Sequence, residues 1–216
     1  MASKKKILVF IDWYLPGYRA GGPIQSCFNL VAHLSNFYEF LIVTRDTDYC
    51  ETKAYEGVTS NSWNTLPDGS KVYYLSSDQL KVSTIKKIIQ ETTFDCAYIN
   101  GVYSFYFSIL PLFFLRSFTG IKVVAVRGML ASSAIAVKGF KKKIYLHLSN
   151  SFGLFKNVCF QASTKIEFDD IRKVMGNAAQ IKLAGNLPKK SNPQLHPGKE
   201  KEIGTLRMVN IARIAP

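Results

Sequence analysis

The residues best suited to chemistry lie early in the chain. An apolar run, Lys6-Ile-Leu-Val-Phe-Ile11, opens into the polar loop Asp12-Trp-Tyr-Leu-Pro-Gly-Tyr-Arg-Ala-Gly-Gly22, and helical spacing begins at Pro23. Paired glycines ahead of a helix let backbone N–H groups approach an anion closely, and the helix end adds partial positive charge. Gly21 and Gly22 are therefore candidates for contact with a phosphate or pyrophosphate; the same pair also suits a plain tight turn into the helix. Asp12, Tyr14 and Arg19 are candidates for binding an acceptor, since an aromatic ring can stack on a sugar and a guanidinium can meet an anion. Packing of the loop by its own aromatics is the competing reading.

Two further basic features stand out. A continuous apolar run, Ile121 to Val126, exits into Arg127-Gly128-Met129-Leu130, which places Arg127 at the same strand ends as the glycine loop. It is a candidate anion or acceptor contact, or else one half of a structural ion pair. Lys138-Gly-Phe-Lys141-Lys142-Lys143 sets four lysines beside Phe140 and Tyr145, a pattern that suits an anionic membrane surface or a phosphorylated acceptor as well as an ordinary solvated face. His33, His147 and His196 are not placed as catalytic bases, and no nucleophile triad or carboxylate pair is evident. The loop lacks the GxGxxG fingerprint and the chain lacks a phosphate-binding GxxxxGK[ST] run, which disfavours a dinucleotide dehydrogenase and a P-loop NTPase. Cys27, Cys50, Cys96 and Cys159 are scattered without metal-ligand spacing, so a zinc site or disulfide framework is not expected.

The elements that must position these residues alternate. Strands are expected at Lys6–Ile11, Phe40–Val43, Lys71–Leu75, Cys96–Ile99, Ile121–Val126, Val158–Gln161 and Ile181–Ala184. Helices are expected at Pro23–Leu34, Asp78–Gln90, Val102–Phe118 (disturbed at Pro111), Lys141–Leu148 and Thr164 to about Met175. Thr164 reads as an N-cap with Glu167 reaching back, and Gly176-Asn177 as the stop. Strands alternating with helices imply a Rossmann-like, doubly wound parallel α/β sheet over residues 1–186. A Pro-, Gly- and Lys-rich stretch, 187–205, reads as a linker. The apolar residues 206–216 read as the first strand of a second, truncated domain.

Hydrophobic residues make up 47% of the 216, enough to bury a substantial core. Lys and Arg number 28 against 15 Asp and Glu, and this net charge of +13 favours an anionic partner. No nucleic-acid-binding motif accompanies it, so nucleic acid is not the expected partner. The longest apolar stretch, 102–118, is interrupted by polar residues and is shorter than a bilayer span.

Taken in order, several pieces resemble the retaining glycosyltransferases of family 4, which have two Rossmann-like domains in the GT-B arrangement. They are Ile7 to Gly22-Pro23, Val126-Arg127-Gly128-Met129-Leu130, the Lys-rich Lys141–Leu148, Phe160-Gln-Ala-Ser-Thr-Lys-Ile-Glu167, Gly185-Asn-Leu-Pro188 and Val209-Asn-Ile-Ala-Arg213-Ile-Ala-Pro216. The resemblance implies an acceptor-side N-terminal domain, with most of the nucleotide sugar held by a second domain and transfer between them. It implies a hexose-type sugar passed to a saccharide or lipid-linked acceptor in bacterial surface-polysaccharide synthesis, with no metal cofactor. The expected location is the cytoplasm, at the inner face of the membrane. Gly21 and Gly22 would lie against donor phosphate or acceptor, and Arg213 would neutralise the leaving diphosphate, where charge builds in the transition state. Relatives often place a His at the strand end occupied here by Val126, so no catalytic residue is assigned. The residues 1–216 alone are expected to be inactive. A non-catalytic Rossmann-like module binding a phosphorylated ligand is the alternative.

Overall fold

The computed structural model describes residues 4–137, 139–190 and 204. Their strands are β1 (Lys5–Phe10), β2 (Tyr38–Arg45), β3 (Trp63–Thr65), β4 (Lys71–Leu75), β5 (Cys96–Asn100), β6 (Ile121–Ala125), β7 (Cys159–Ala162) and β8 (Gln180–Leu183). The helices are α1 (Gly22–Leu34), α2 (Val82–Glu91), α3 (Leu110–Phe114), α4 (Ser132–Ala136), α5 (Gly139–Ser151) and α6 (Lys165–Met175). The strands form one sheet in the order β3-β4-β2-β1-β5-β6-β7-β8, parallel throughout except for β3 against β4. The expected doubly wound parallel α/β fold is present. Most of the expected linker (187–205), the expected strand 206–216 with Arg213, and Lys138 lie outside the described residues.

The core lies on both faces of the sheet because successive side chains of a strand point to opposite sides. In β1, Leu8 and Phe10 join one cluster with Ile85 of α2, Leu112 of α3, Leu146 of α5 and Ile171 of α6. Val9 and Ile11 join the other with Cys27 and Val31 of α1. Five helices, α2 to α6, cover the first face, while α1 and side chains from the segment between β2 and β4 (Tyr55, Val58, Leu66) cover the second.

Three departures from the sequence reading have local causes. β3 lies within a segment rich in turn residues, 45–70, and forms only because Trp63, Asn64 and Thr65 pair antiparallel with the edge of β4. The helical stretch before Pro111 is wider than an α-helix. Pro111 brings no N–H, and upstream of it the ladder opens to i→i+5, Ile109 N–H to Ser104 O at 2.9 Å. Residues 77–79 form a separate 3₁₀ turn, so α2 starts at Val82.

The cap of α6 is as expected at Thr164, whose Oγ1 accepts the Glu167 N–H at 3.1 Å. The Glu167 carboxylate, however, reaches beyond the cap residue. Oε2 accepts from Ser163 N–H and Oγ (2.6 Å each), and Oε1 accepts from Gly128 N–H at 2.6 Å. A buried side chain on α6 thus fixes the loop that leaves β6. Removing the capping oxygen of Thr164 (Thr164→Ala) is expected to cost about 1 kcal/mol. Glu167→Ala leaves donors without a partner and is expected to cost more, about 2–3 kcal/mol. Urea unfolding of the two variants checks the order.

Candidate functional site

β1 sits at the centre of the sheet. From β1 the chain proceeds through α1 to β2 on one side, and it later returns to place β5 on the other. Beyond the carboxyl ends of β1 and β5 the following loops diverge and leave a crevice, the usual ligand position in such sheets. A cavity of about 160 Å³ occupies it, lined by Ile11, Asp12, Trp13, Ala20, Pro23, Tyr49, Asn100 and Met129. That is the room of about five waters, enough for one ring or head-group and too small for a whole nucleotide sugar.

Asn100 closes β5 and is only 5% exposed. Its Oδ1 accepts from Arg127 Nε at 2.6 Å, while its buried Nδ2 has no partner. Arginine only donates, so it holds the amide oxygen toward itself and leaves the buried amide N–H groups without a partner at the wall of the cavity. Asp12 supplies the opposite function. Its Oδ1 accepts from Ser104 Oγ at 2.8 Å and lies 3.6 Å from Arg45 Nη2, while Oδ2 has no partner among the described residues. Burial raises the Asp12 pKa above the ordinary aspartate value, against the opposing pull of Ser104 and Arg45. Trp13 and Tyr49 form an aromatic wall, edge to face with centroids 5.0 Å apart, and Arg45 stacks over Trp13 at 5.6 Å. A donor, an acceptor and an aromatic surface thus face one small space.

Arg127 stands beside it with positive φ (56°), in the left-handed region that places its side chain back over β5. Besides Asn100 it donates to Asn186 Oδ1 (2.6 Å) and to the Tyr98 hydroxyl (3.0 Å). Burial raises the Tyr98 pKa, so its hydroxyl keeps a proton, which it gives to Gln161 Oε1. Every partner of this guanidinium is neutral, and among the described residues it forms no ion pair, so its charge is not cancelled locally.

The glycine loop is held by Asp48, whose carboxylate accepts from the N–H groups of Tyr18, Arg19 and Tyr49. Burial pushes its pKa up, but these backbone N–H groups outweigh burial and leave it below the ordinary value. Gly21 has φ +72°, and a Cβ on Gly21 or Gly22 would meet nothing within 4 Å, so the start of α1 is open. No side chain caps it and no acid occupies its first turn.

The candidates thus separate. Asp12, Gly21, Gly22 and Arg127 gather around the crevice. Tyr14 does not: it is fully buried among Cys27, Val31, Phe40 and Tyr74 because the loop folds its ring into the core, where burial raises its pKa. Arg19 points outward and pairs with Glu51. Lys142 turns inward, donating to Ala134 O at 2.6 Å and lying over the Tyr103 ring, whereas Lys141 and Lys143 are exposed. Asn100, Tyr49 and Asp48 were not singled out from sequence. For Asn100 a signal exists, a polar residue ending an apolar strand directly before Gly101.

The two aspartates predict opposite pH dependences. Asp12 has a raised folded pKa, so the folded state binds its proton more tightly; its contribution to stability falls as pH rises from the ordinary aspartate value, about 3.9, through the folded one. Asp12→Asn is therefore expected to gain stability relative to wild type between pH 4 and pH 7. Asp48 has a lowered folded pKa, so its stabilisation is complete above the ordinary value and is lost as pH falls through the folded one. Asp48→Asn is expected to lose more stability at pH 7 than at pH 3. Urea unfolding at each pH reads both differences.

No helix among the described residues is long and apolar enough to cross a membrane. No family model matches this chain and no curated protein sequence does either, so what the crevice binds must follow from its chemistry.

Proposed function

We propose that this domain is the acceptor-side half of a retaining, nucleotide-sugar-dependent glycosyltransferase, and that the crevice between β1 and β5 receives a hydroxylated ring of the acceptor. The observation that carries this reading is the pairing of an unpartnered buried donor, Asn100 Nδ2, with an acceptor, Asp12 Oδ2, beside the Trp13–Tyr49 wall. A sugar hydroxyl both donates and accepts, and the carbon face of a pyranose packs on aromatic rings. A phosphate in the same space would meet the Asp12 carboxylate, so an anion fits better at the outer edge, near the open start of α1 and Arg127.

In the reaction, an acceptor hydroxyl oxygen bonds to the anomeric carbon of the donor. The bond from that carbon to the diphosphate breaks, the nucleoside diphosphate leaves with the electron pair, and its departing oxygen takes the proton of the acceptor hydroxyl. Asp12 and Asn100 orient the acceptor, and the uncancelled charge of Arg127 favours a phosphate-bearing partner nearby. A non-catalytic module that binds a phosphorylated ligand has its own support in Arg127 and the uncapped, acid-free start of α1.

The test is transfer of labelled sugar from UDP-, GDP- and ADP-sugars into a membrane-lipid extract by the full gene product. One sugar is expected to transfer. Trp13→Ala is expected to raise the acceptor KM about tenfold with a smaller change in kcat, since a lost aromatic contact costs about 1–1.5 kcal/mol. Asn100→Ala is expected to lower kcat/KM by about tenfold or more. Absence of transfer and of donor hydrolysis, together with phosphate-ester binding that depends on Arg127, would favour the binding module instead.

A further inference from the structure

We propose that the outer face of α5, with the groove beside it, docks on an anionic phospholipid bilayer. Phe140, Ile144 and Leu148 recur every four residues and therefore form one ridge along α5. They are 79%, 42% and 46% exposed, and Phe152 (69%) and Val137 (64%) extend the ridge at either end. The inner face of the same helix is already satisfied: Leu146 is in the core and the Tyr145 hydroxyl donates to Val102 O. α5 thus has an apolar face left over, and a contiguous exposed apolar ridge marks an interaction surface.

The charge around it names the partner. Between Asp95 and Glu167 the chain has nine Lys and Arg and no Asp or Glu, so most of the excess of +13 comes from this one segment. Lys141 and Lys143 are exposed beside the ridge, and neither meets a carboxylate among the described residues. A groove of about 720 Å³ opens next to it, walled by Ile135, Phe140, Leu146 and Val174, with Lys143 and Lys173 also lining it. Aromatic and aliphatic side chains flanked by lysines are the pattern of a helix lying in a membrane interface. A second copy of this chain is a poor occupant, because a two-fold contact through α5 would bring the lysine clusters together without acids to offset them. The groove also meets the crevice through consecutive residues: Leu130 lines the groove and Met129 the crevice. A bilayer on α5 would therefore adjoin the loop that carries Arg127.

The test is co-flotation of the chain with vesicles of phosphatidylglycerol and phosphatidylcholine, against vesicles of phosphatidylcholine alone. Binding to the anionic vesicles only is expected. Lys141→Glu with Lys143→Glu is expected to weaken it about tenfold or more. Phe140→Ser with Leu148→Ser, which alters exposed side chains, is expected to weaken it about as much. Lys53→Glu with Lys86→Glu makes the same change of net charge elsewhere and is expected to change binding by about twofold at most in physiological salt. Three results would overturn the proposal: no binding to anionic vesicles, equal loss in the Lys53/Lys86 control, or a dimer by sedimentation that the Phe140/Leu148 variant abolishes while vesicles stay unbound.

Discussion

The hydrogen bond from Arg127 Nε to Asn100 Oδ1 is the contact on which the site depends. It joins the ends of two neighbouring strands, β5 and β6. It also settles which end of the Asn100 amide faces the crevice, because a guanidinium can only donate. Without Arg127 in place, the buried amide could turn its oxygen to the cavity, and the space would offer two acceptors in place of a donor and an acceptor. The left-handed backbone at Arg127 is what brings the guanidinium back over β5. Glu167 holds that backbone from below by accepting the next N–H, that of Gly128. A side chain of α6 thereby sets the polarity of a crevice on the other side of β6.

The two loops around the crevice are organised by the same device. Asp48 and Glu167 each place a carboxylate where several N–H groups converge, and these bonds replace the regular ladder that a loop lacks. The glycine loop is thereby anchored without any side chain at the start of α1. Beyond the crevice, Arg127 also reaches Asn186. The residues that follow lie along α1, with Asn29 Nδ2 donating to Leu187 O and His33 Nε2 to Pro188 O. The chain leaving β8 is thus tied both to the site and to the helix that borders it.

Much of the framework was legible in the sequence because each level of signal agreed. Apolar runs bounded by glycine and proline marked the central strands, and the Thr164 cap and Gly176 stop delimited α6 within a residue or two. β3 was not legible: Trp63-Asn-Thr65 is too short to show alternation, and only the exposed edge of β4 makes it a strand. The outline of the crevice was legible, since strand ends can be located: Asp12 and Arg127 follow β1 and β6, and Gly21 and Gly22 open α1. Its polarity was not. Tyr14 and Trp13 are neighbours in one loop, yet one fills the core and the other walls the crevice, a choice made by how the loop folds over α1. The role of Asn100 depends on a turn of backbone twenty-seven residues away.

The central claim is that the crevice recognises a hydroxylated ring through Asn100 and the Trp13 wall. It is tested most directly by following the Asn100 side-chain amide and the Trp13 indole N–H by nuclear magnetic resonance while titrating neutral glycosides, and separately inorganic phosphate. Both signals are expected to shift with a glycoside and to saturate together, with little response to phosphate. Shifts confined to phosphate, or glycoside binding that leaves both signals unmoved, would contradict it.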